Sequence, residues 1–148
     1  MTPVYLSLGS NLGDRHSLLL SAIDLLARRV GRLVLASSFI ETEPWGFESP
    51  HRFLNAVVLL HTDLSPHALL KETQAIEREL GRIRKTPVSE GTRSYSDRPI
   101  DIDILLYGDL HLSTPELTIP HPLMNEREFV LRPLHEVQAA YSLSNRQT

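Results

Sequence analysis

An α+β fold of the ferredoxin-like kind, a sandwich of helices on an antiparallel sheet in the order β-α-β-β-α-β, is what this 148-residue sequence predicts. Two observations lead there. Apolar, β-rich runs at 4–8, 33–40, 53–61 and 100–107 are interleaved with two stretches of helical periodicity, one after the first run and one after the third. In addition, no repeat or linker-like segment divides the chain, so residues 1–148 are expected to form a single domain.

Val4-Tyr5-Leu6-Ser7-Leu8 alternates as a half-buried strand does, and Gly9-Ser10-Asn11-Leu12-Gly13 supplies turn chemistry after it. Leu18, Leu19, Ala22, Ile23, Leu26 and Val30 then share one helix face, with Gly31 as a C′ stop. Residues 33–40 read as one strand. The run 53–61 is apolar on both faces and so must be internal or covered. Ser65 and Pro66 open the second helix as N-cap and N1, Leu69, Ile76 and Leu80 form its core stripe, and Gly81 closes it. A basic segment without periodicity follows, then the strand beginning Ile100-Asp101-Ile102-Asp103-Ile104. Beyond Gly108 the chain reads as irregular, broken by Pro115, Pro120, Pro122 and Pro133, with a short helix near 125–130.

Composition excludes several classes. With 41% hydrophobic and 22% charged residues the chain is not disordered, and 15 basic against 18 acidic residues, a net charge of −3, argues against a nucleic-acid coat. No apolar run is long enough to span a membrane, and no signal-peptide pattern is present. The absence of cysteine rules out disulfides, thiolate metal sites and a cysteine nucleophile, and fits a cytoplasmic protein.

Chemistry concentrates around residues 77–103. Strand alternation puts Asp101 and Asp103 on one face, opposite Ile100, Ile102 and Ile104. Paired hard oxygen donors suit Mg²⁺ holding phosphates, and a solvated edge face is the alternative. Arg82, Arg84, Lys85, Arg93 and Arg98 lie in the long segment just before, where guanidinium groups could meet polyphosphate or simply solubilise a loop. A segment of that length is often an active-site lid. No P-loop or dinucleotide motif is present, so side chains and metal would have to hold any nucleotide. Asn55 within an apolar strand needs a partner, which a polar heterocycle or neighbouring backbone would supply. His121, between Pro120 and Pro122, is either pre-positioned for a ligand or a surface histidine. On the second helix Leu70, Gln74 and Glu77 line one flank beside the core stripe.

Five motifs, in order, carry a resemblance over nearly the whole chain: Leu8-Gly9-Ser10-Asn11-Leu12-Gly13; Phe53-Leu54-Asn55-Ala56; Glu77 with Gly81-Arg82-Ile83-Arg84; Arg98 with Ile100 to Ile104; and Ile119-Pro120-His121-Pro122 with Arg127 and Phe129. Together they resemble the 6-hydroxymethyl-7,8-dihydropterin pyrophosphokinase family of folate biosynthesis. The resemblance implies diphosphate transfer from ATP to the dihydropterin hydroxymethyl group, with release of AMP. It implies that Asp101 and Asp103 hold two Mg²⁺ ions and that Arg82 and Arg98, on a mobile lid, join them in catalysis. Gln74, Glu77, Arg84, Ile104, Leu117, Thr118, His121 and Arg127 fall where ATP contacts are expected. Thr42, Trp45, Phe53, Asn55 and Phe129 fall where the pterin is expected, with Phe53 and Phe129 as stacking faces. Many relatives carry Trp-Gly-Pro-Arg just before the aspartate strand, whereas this chain has Tyr95-Ser96-Asp97-Arg98-Pro99. The expected partners are therefore the two small substrates, with no nucleic acid or membrane, and the expected state is a monomer. A non-catalytic ligand-binding module and a metal-dependent phosphohydrolase are the competing classes.

Overall fold

The central strand, β1 (Thr2–Ser10), organises the sheet: it pairs antiparallel with β4 (Phe53–Thr62) on one side and β5 (Asp101–Tyr107) on the other. The computed structural model describes residues 1–42, 52–81, 99–122 and 124–146, with side chains up to residue 143. On the far side of β4 lie β2 (Gly31–Ala36) and the short β3 (Ile40–Thr42), giving the spatial order β2-β4-β1-β5 with β3 also on β4. Helices α1 (Arg15–Arg29) and α2 (Pro66–Gly81) cover one face, and α3 (Glu128–Arg146) covers part of the other. This is the predicted α+β architecture.

The two-faced apolarity of β4 follows from this layering. Val58 and Leu60 pack with Leu19, Ala22, Leu26, Leu69 and Ile76 of α1 and α2, while Val57 and Leu59 meet Leu105, Val130, Leu134 and Val137 on the α3 side. α1 begins at Asp14, whose carboxylate accepts from the Ser17 N–H at 3.1 Å and the Ser17 hydroxyl at 2.9 Å. Those bonds hold Asp14 below the usual carboxylate range. α2 begins at Ser65, whose hydroxyl accepts from the Ala68 N–H at 3.3 Å. Among the described residues no helix is long and apolar enough to cross a membrane.

Three expectations are corrected, and a fourth holds for a different physical reason. The first strand runs past Leu8 to Ser10, so Gly9 belongs to the sheet and the turn comes later. The run 33–40 is two strands, because at Ser37 the side chain takes a ladder position: its hydroxyl accepts from the Val57 N–H while its own N–H donates to the Val57 carbonyl, each at 2.9 Å. The chain beyond Gly108 is not irregular. It holds a hairpin of β6 (Leu112–Ser113) and β7 (Thr118–Ile119), a 3-10 turn (Met124–Glu126) and the 19-residue α3 in place of a short helix near 125–130. Pro133 forfeits one helical hydrogen bond, at about 3 kcal/mol. Burial of Val130, Leu134 and Val137 at i, i+4 and i+7 contributes about 1.5–3 kcal/mol for each side chain, which outweighs that loss.

Gly31 stands at C′ of α1 as expected, but without the left-handed backbone of a glycine stop. The C-cap is Val30 in ordinary right-handed geometry, and among the described residues the left-handed glycines are Gly13 and Gly108. Gly31 is needed for space, since a Cβ there would lie 2.0 Å from the His61 carbonyl oxygen across the β2–β4 pair. Gly31→Ala should therefore destabilise the fold by about 3 kcal/mol through overpacking. Urea denaturation would register this as a lower midpoint, and an unchanged midpoint would refute the close approach.

Candidate active site

Register places the candidate residues in one row. On β1, Gly9 lies opposite Asn55 of β4 and opposite Asp101 of β5, and two residues back Ser7 lies between Val57 and Asp103. Directly paired residues point to the same face, so Phe53, Asn55, Gly9, Asp101 and Asp103 share the face that α3 only partly covers. Gly9 has no side chain where one would collide: a Cβ would lie 2.9 Å from the Asn55 Oδ1 and 3.4 Å from the Phe53 ring. The result is a shallow floor between an amide and a carboxylate pair. Two strand spacings separate Asn55 from Asp101, about 10 Å.

At the amide end, Asn55 is 2% exposed and its Nδ2 donates to the Thr42 hydroxyl at 2.6 Å. Thr42 is paired with Phe53 across β3 and β4, which brings these three expected pterin residues together. Phe129, near the start of α3, packs on the same side of the sheet, with the Arg127 guanidinium carbon 5.7 Å from its ring centroid.

At the carboxylate end, Asp103 is flanked by cationic and imidazole groups: Arg127 NH1 stands 4.0 Å from its Oδ2 and His121 Nε2 4.0 Å from its Oδ1. Arg127 is itself buried. The His121 N–H donates to the Leu105 carbonyl at 3.0 Å, which ties the segment after β7 to β5. Burial, then the nearby Arg127 charge, hold the His121 imidazole below its ordinary pKa, against an opposing pull from Asp101.

Glu77 reaches this edge from α2. Its Oε2 accepts the Ile102 N–H at 2.8 Å, satisfying a backbone donor on the outer side of an edge strand. Burial and the neighbouring Asp101 and Asp103 charges push its carboxyl up to about 8, although the Ile102 bond favours the ionised form.

The remaining expected residues are placed differently. Ile104 and Leu117 point into the core between sheet and helices, which leaves only their backbone for a ligand. Gln74 and Thr118 are exposed. Trp45, Arg82, Arg84 and Arg98, with the expected lid up to residue 98, lie outside the described residues. Sequence reasoning missed Gly9 as part of the site, because its role depends on the register with two strands distant in the chain.

The donor set suits a hard cation: Asp101 and Asp103 offer carboxylate oxygens on one face. Among the described residues no group of three or more His, Cys, Asp or Glu is arranged to hold a metal alone. Substrate phosphates and water would have to complete any coordination shell.

A carboxylate pair beside an amide-lined floor on a ferredoxin-like sheet gives room for a metal-bound polyphosphate next to a polar heterocycle, as an ATP-dependent diphosphotransferase needs; family membership makes that assignment. The profile of 7,8-dihydro-6-hydroxymethylpterin-pyrophosphokinase (HPPK) matches residues 5–139. This chain belongs to that family, whose pyrophosphokinase activity serves folate biosynthesis. It is 60% identical to the 2-amino-4-hydroxy-6-hydroxymethyldihydropteridine pyrophosphokinase of Porphyromonas gingivalis, over 93% of this chain and 91% of that one. The enzyme of the same name from Bacillus subtilis is 43% identical, over 90% of this chain and 76% of its own length. Among solved structures, an HPPK-DHPS in complex with substrates superposes with a TM-score of 0.67 at 16% identity, covering 92% of this chain and 40% of that one. A Plasmodium falciparum HPPK-DHPS triple mutant gives 0.65 at 15% identity, over 88% of this chain and 38% of that one. The chain thus spans about two fifths of those longer proteins, and their likeness concerns the fold.

Glu77 makes the site's charge measurable in the metal-free protein. Unfolded, its carboxyl ionises near 4.5, and folded near 8. In that window the folded state retains a proton that the unfolded state releases, so stability falls as pH rises from about 4.5 to 8. Glu77→Gln keeps an oxygen for the Ile102 N–H and removes the titration. It should be more stable than the parent at pH 8 by more than about 1 kcal/mol, with the difference vanishing near pH 4.5. Denaturation at several pH values with chelator present checks this; a parallel pair of curves would contradict it.

Proposed function

We propose that the floor from Asn55 across Gly9 to Asp101 holds the two substrates end to end, the dihydropterin over Asn55 and the ATP polyphosphate over Asp101 and Asp103. The observation that carries this reading is the shared row of β4, β1 and β5. A bicyclic heterocycle bearing a hydroxymethyl group is about as long as the span between the amide and the carboxylates. Thr42 and Asn55 recognise its polar edge, and Trp45, Phe53 and Phe129 supply aromatic surface.

The hydroxymethyl oxygen attacks the β-phosphorus of ATP. Its bond to that phosphorus forms as the bond from the bridging α,β-oxygen breaks, AMP departs with that oxygen, and the hydroxyl proton passes to solvent. Such a transfer needs in-line placement and charge neutralisation more than covalent chemistry. Asp101 and Asp103 would hold Mg²⁺, two ions by the family pattern, and the bound metal would neutralise phosphate charge. Arg127 and His121 flank Asp103 on the nucleotide side, and Glu77 keeps the aspartate strand in place. Arg82, Arg84 and Arg98, between α2 and β5 in sequence, add positive charge around the phosphates, while Gln74, Ile104, Leu117 and Thr118 complete the nucleotide contacts, the two buried ones through backbone. The domain 1–148 works as a cytoplasmic monomer, a compartment consistent with the lack of cysteine.

Two measurements test this assignment. AMP should appear from ATP only when the dihydropterin is added; phosphate release without it would favour a phosphohydrolase. Asp101→Asn or Asp103→Asn should lower kcat at least about 10²-fold while the protein stays folded, because each removes charge stabilisation at the reacting phosphates. Parental turnover in either variant would reject the metal-holding role.

Asn55→Ala should separate the two halves of the site. The dihydropterin dissociation constant should rise at least about tenfold, the loss of a hydrogen bond to a buried group, with little change for ATP. Isothermal titration of each ligand reads this directly, and equal losses for both would make Asn55 a structural residue of the sheet.

A further inference from the structure

We propose that Arg15 is a positioning residue for the dihydropterin half of the site, acting from the opposite face of the sheet. The inference rests on the assignment of Thr42 and Asn55 to that half. β3 has three residues, so few ladder bonds fix it on β4 beyond the Ser37 anchor that precedes it. Its middle residue, Glu41, lies opposite Leu54 and faces the α1 side, whereas the next residue, Thr42, lies opposite Phe53 and faces the site. Fixing Glu41 from behind therefore fixes the Thr42 hydroxyl in front.

Arg15, in the first turn of α1, makes that connection. Its NH2 donates to Glu41 Oε2 at 3.2 Å, and its NH1 donates to the backbone carbonyl of Arg52, just ahead of β4, at 2.9 Å. Arg52 NH1 stands 3.8 Å from the other Glu41 oxygen. One planar guanidinium thus spans β3 and the entry to β4, a task its rigid fork performs and a lysine ammonium cannot. The Arg15 side chain is 32% exposed and that of Glu41 45%, so the pair contributes little to global stability. What it sets is the relative position of two short backbone segments. That position determines whether the Asn55 amide meets Thr42 at 2.6 Å and presents its remaining polar atoms to a ligand.

Steady-state kinetics on the full chain, with each substrate varied in turn, tests the inference. Arg15→Ala should raise KM for the dihydropterin roughly five- to tenfold, with KM for ATP unchanged, the cost of a small misplacement remote from the chemistry. Arg15→Lys, which can keep the Glu41 ion pair but not both contacts, should fall between. Arg15→Ala combined with Glu41→Ala should raise the dihydropterin KM by less than the product of the two single effects, because the two share one contact. An unchanged dihydropterin KM in Arg15→Ala, or equal rises for both substrates, overturns the positioning role. Asn55→Ala run alongside separates this from the assignment beneath it. If Asn55→Ala leaves dihydropterin KM at the parental value, the placement of that substrate fails; if only Arg15→Ala does so, the placement stands and Arg15 has no part in it.

Discussion

The antiparallel register of β1 against its two neighbours is the constraint on which the site depends. Asn55 and Asp101 are 46 positions apart in the chain, yet both lie opposite Gly9. A slip of one residue in either pairing would turn the slipped strand's site residues toward the opposite face, into the core beneath α1 and α2. The apolar alternation of β1 prevents that slip, because Val4, Leu6 and Leu8 are fully buried on the helix side. The core thus sets the geometry of the polar face. Gly9 is the one place on that row where a side chain would close the floor.

Charge at the β5 edge opposes the packing around it. Three carboxylates, from Glu77, Asp101 and Asp103, converge on one short strand, and burial raises Glu77 far enough to keep it protonated near neutrality. An apolar edge would be more stable. The arrangement makes sense if the acids are held ready for positive charge from a ligand, since local destabilisation of this kind is common where function demands it. Arg127 offsets part of the repulsion at Asp103 and stacks on Phe129, linking the charged end of the site to the start of α3. α3 therefore does two jobs. Its apolar stripe covers Val57 and Leu59 on the second face of β4, and Phe129 in its first turn packs on the site's side of the sheet.

Much of this was legible in the chain itself. The strands through Val4, Phe53 and Asp101, the helix from Ser65, and the shared face of Asp101 and Asp103 follow from periodicity of two or 3.6 and from capping chemistry, which are local properties. What local pattern misjudged were places where tertiary contacts outweigh it. Pro133 signals a break, but the buried stripe from Val130 to Val137 overrides it. Gly31 looks like a helix stop, but its lack of a side chain is required by the His61 carbonyl on another strand. Ser37 interrupts an apparently continuous strand because its hydroxyl serves the Val57 N–H.

By itself, then, the sequence determined which residues could carry phosphate chemistry, which faces of its strands and helices are apolar, and, through five ordered motifs, the family. Only the tertiary structure decided that Gly9 separates Asn55 from Asp101, that Glu77 binds strand backbone, that Ile104 and Leu117 are core side chains, and that Arg15 reaches β3 from behind. Each of these depends on cross-strand register or interlayer packing. Contacts between residues far apart in the chain leave no local period to read, whereas the burial that produces them is a property of the whole sheet.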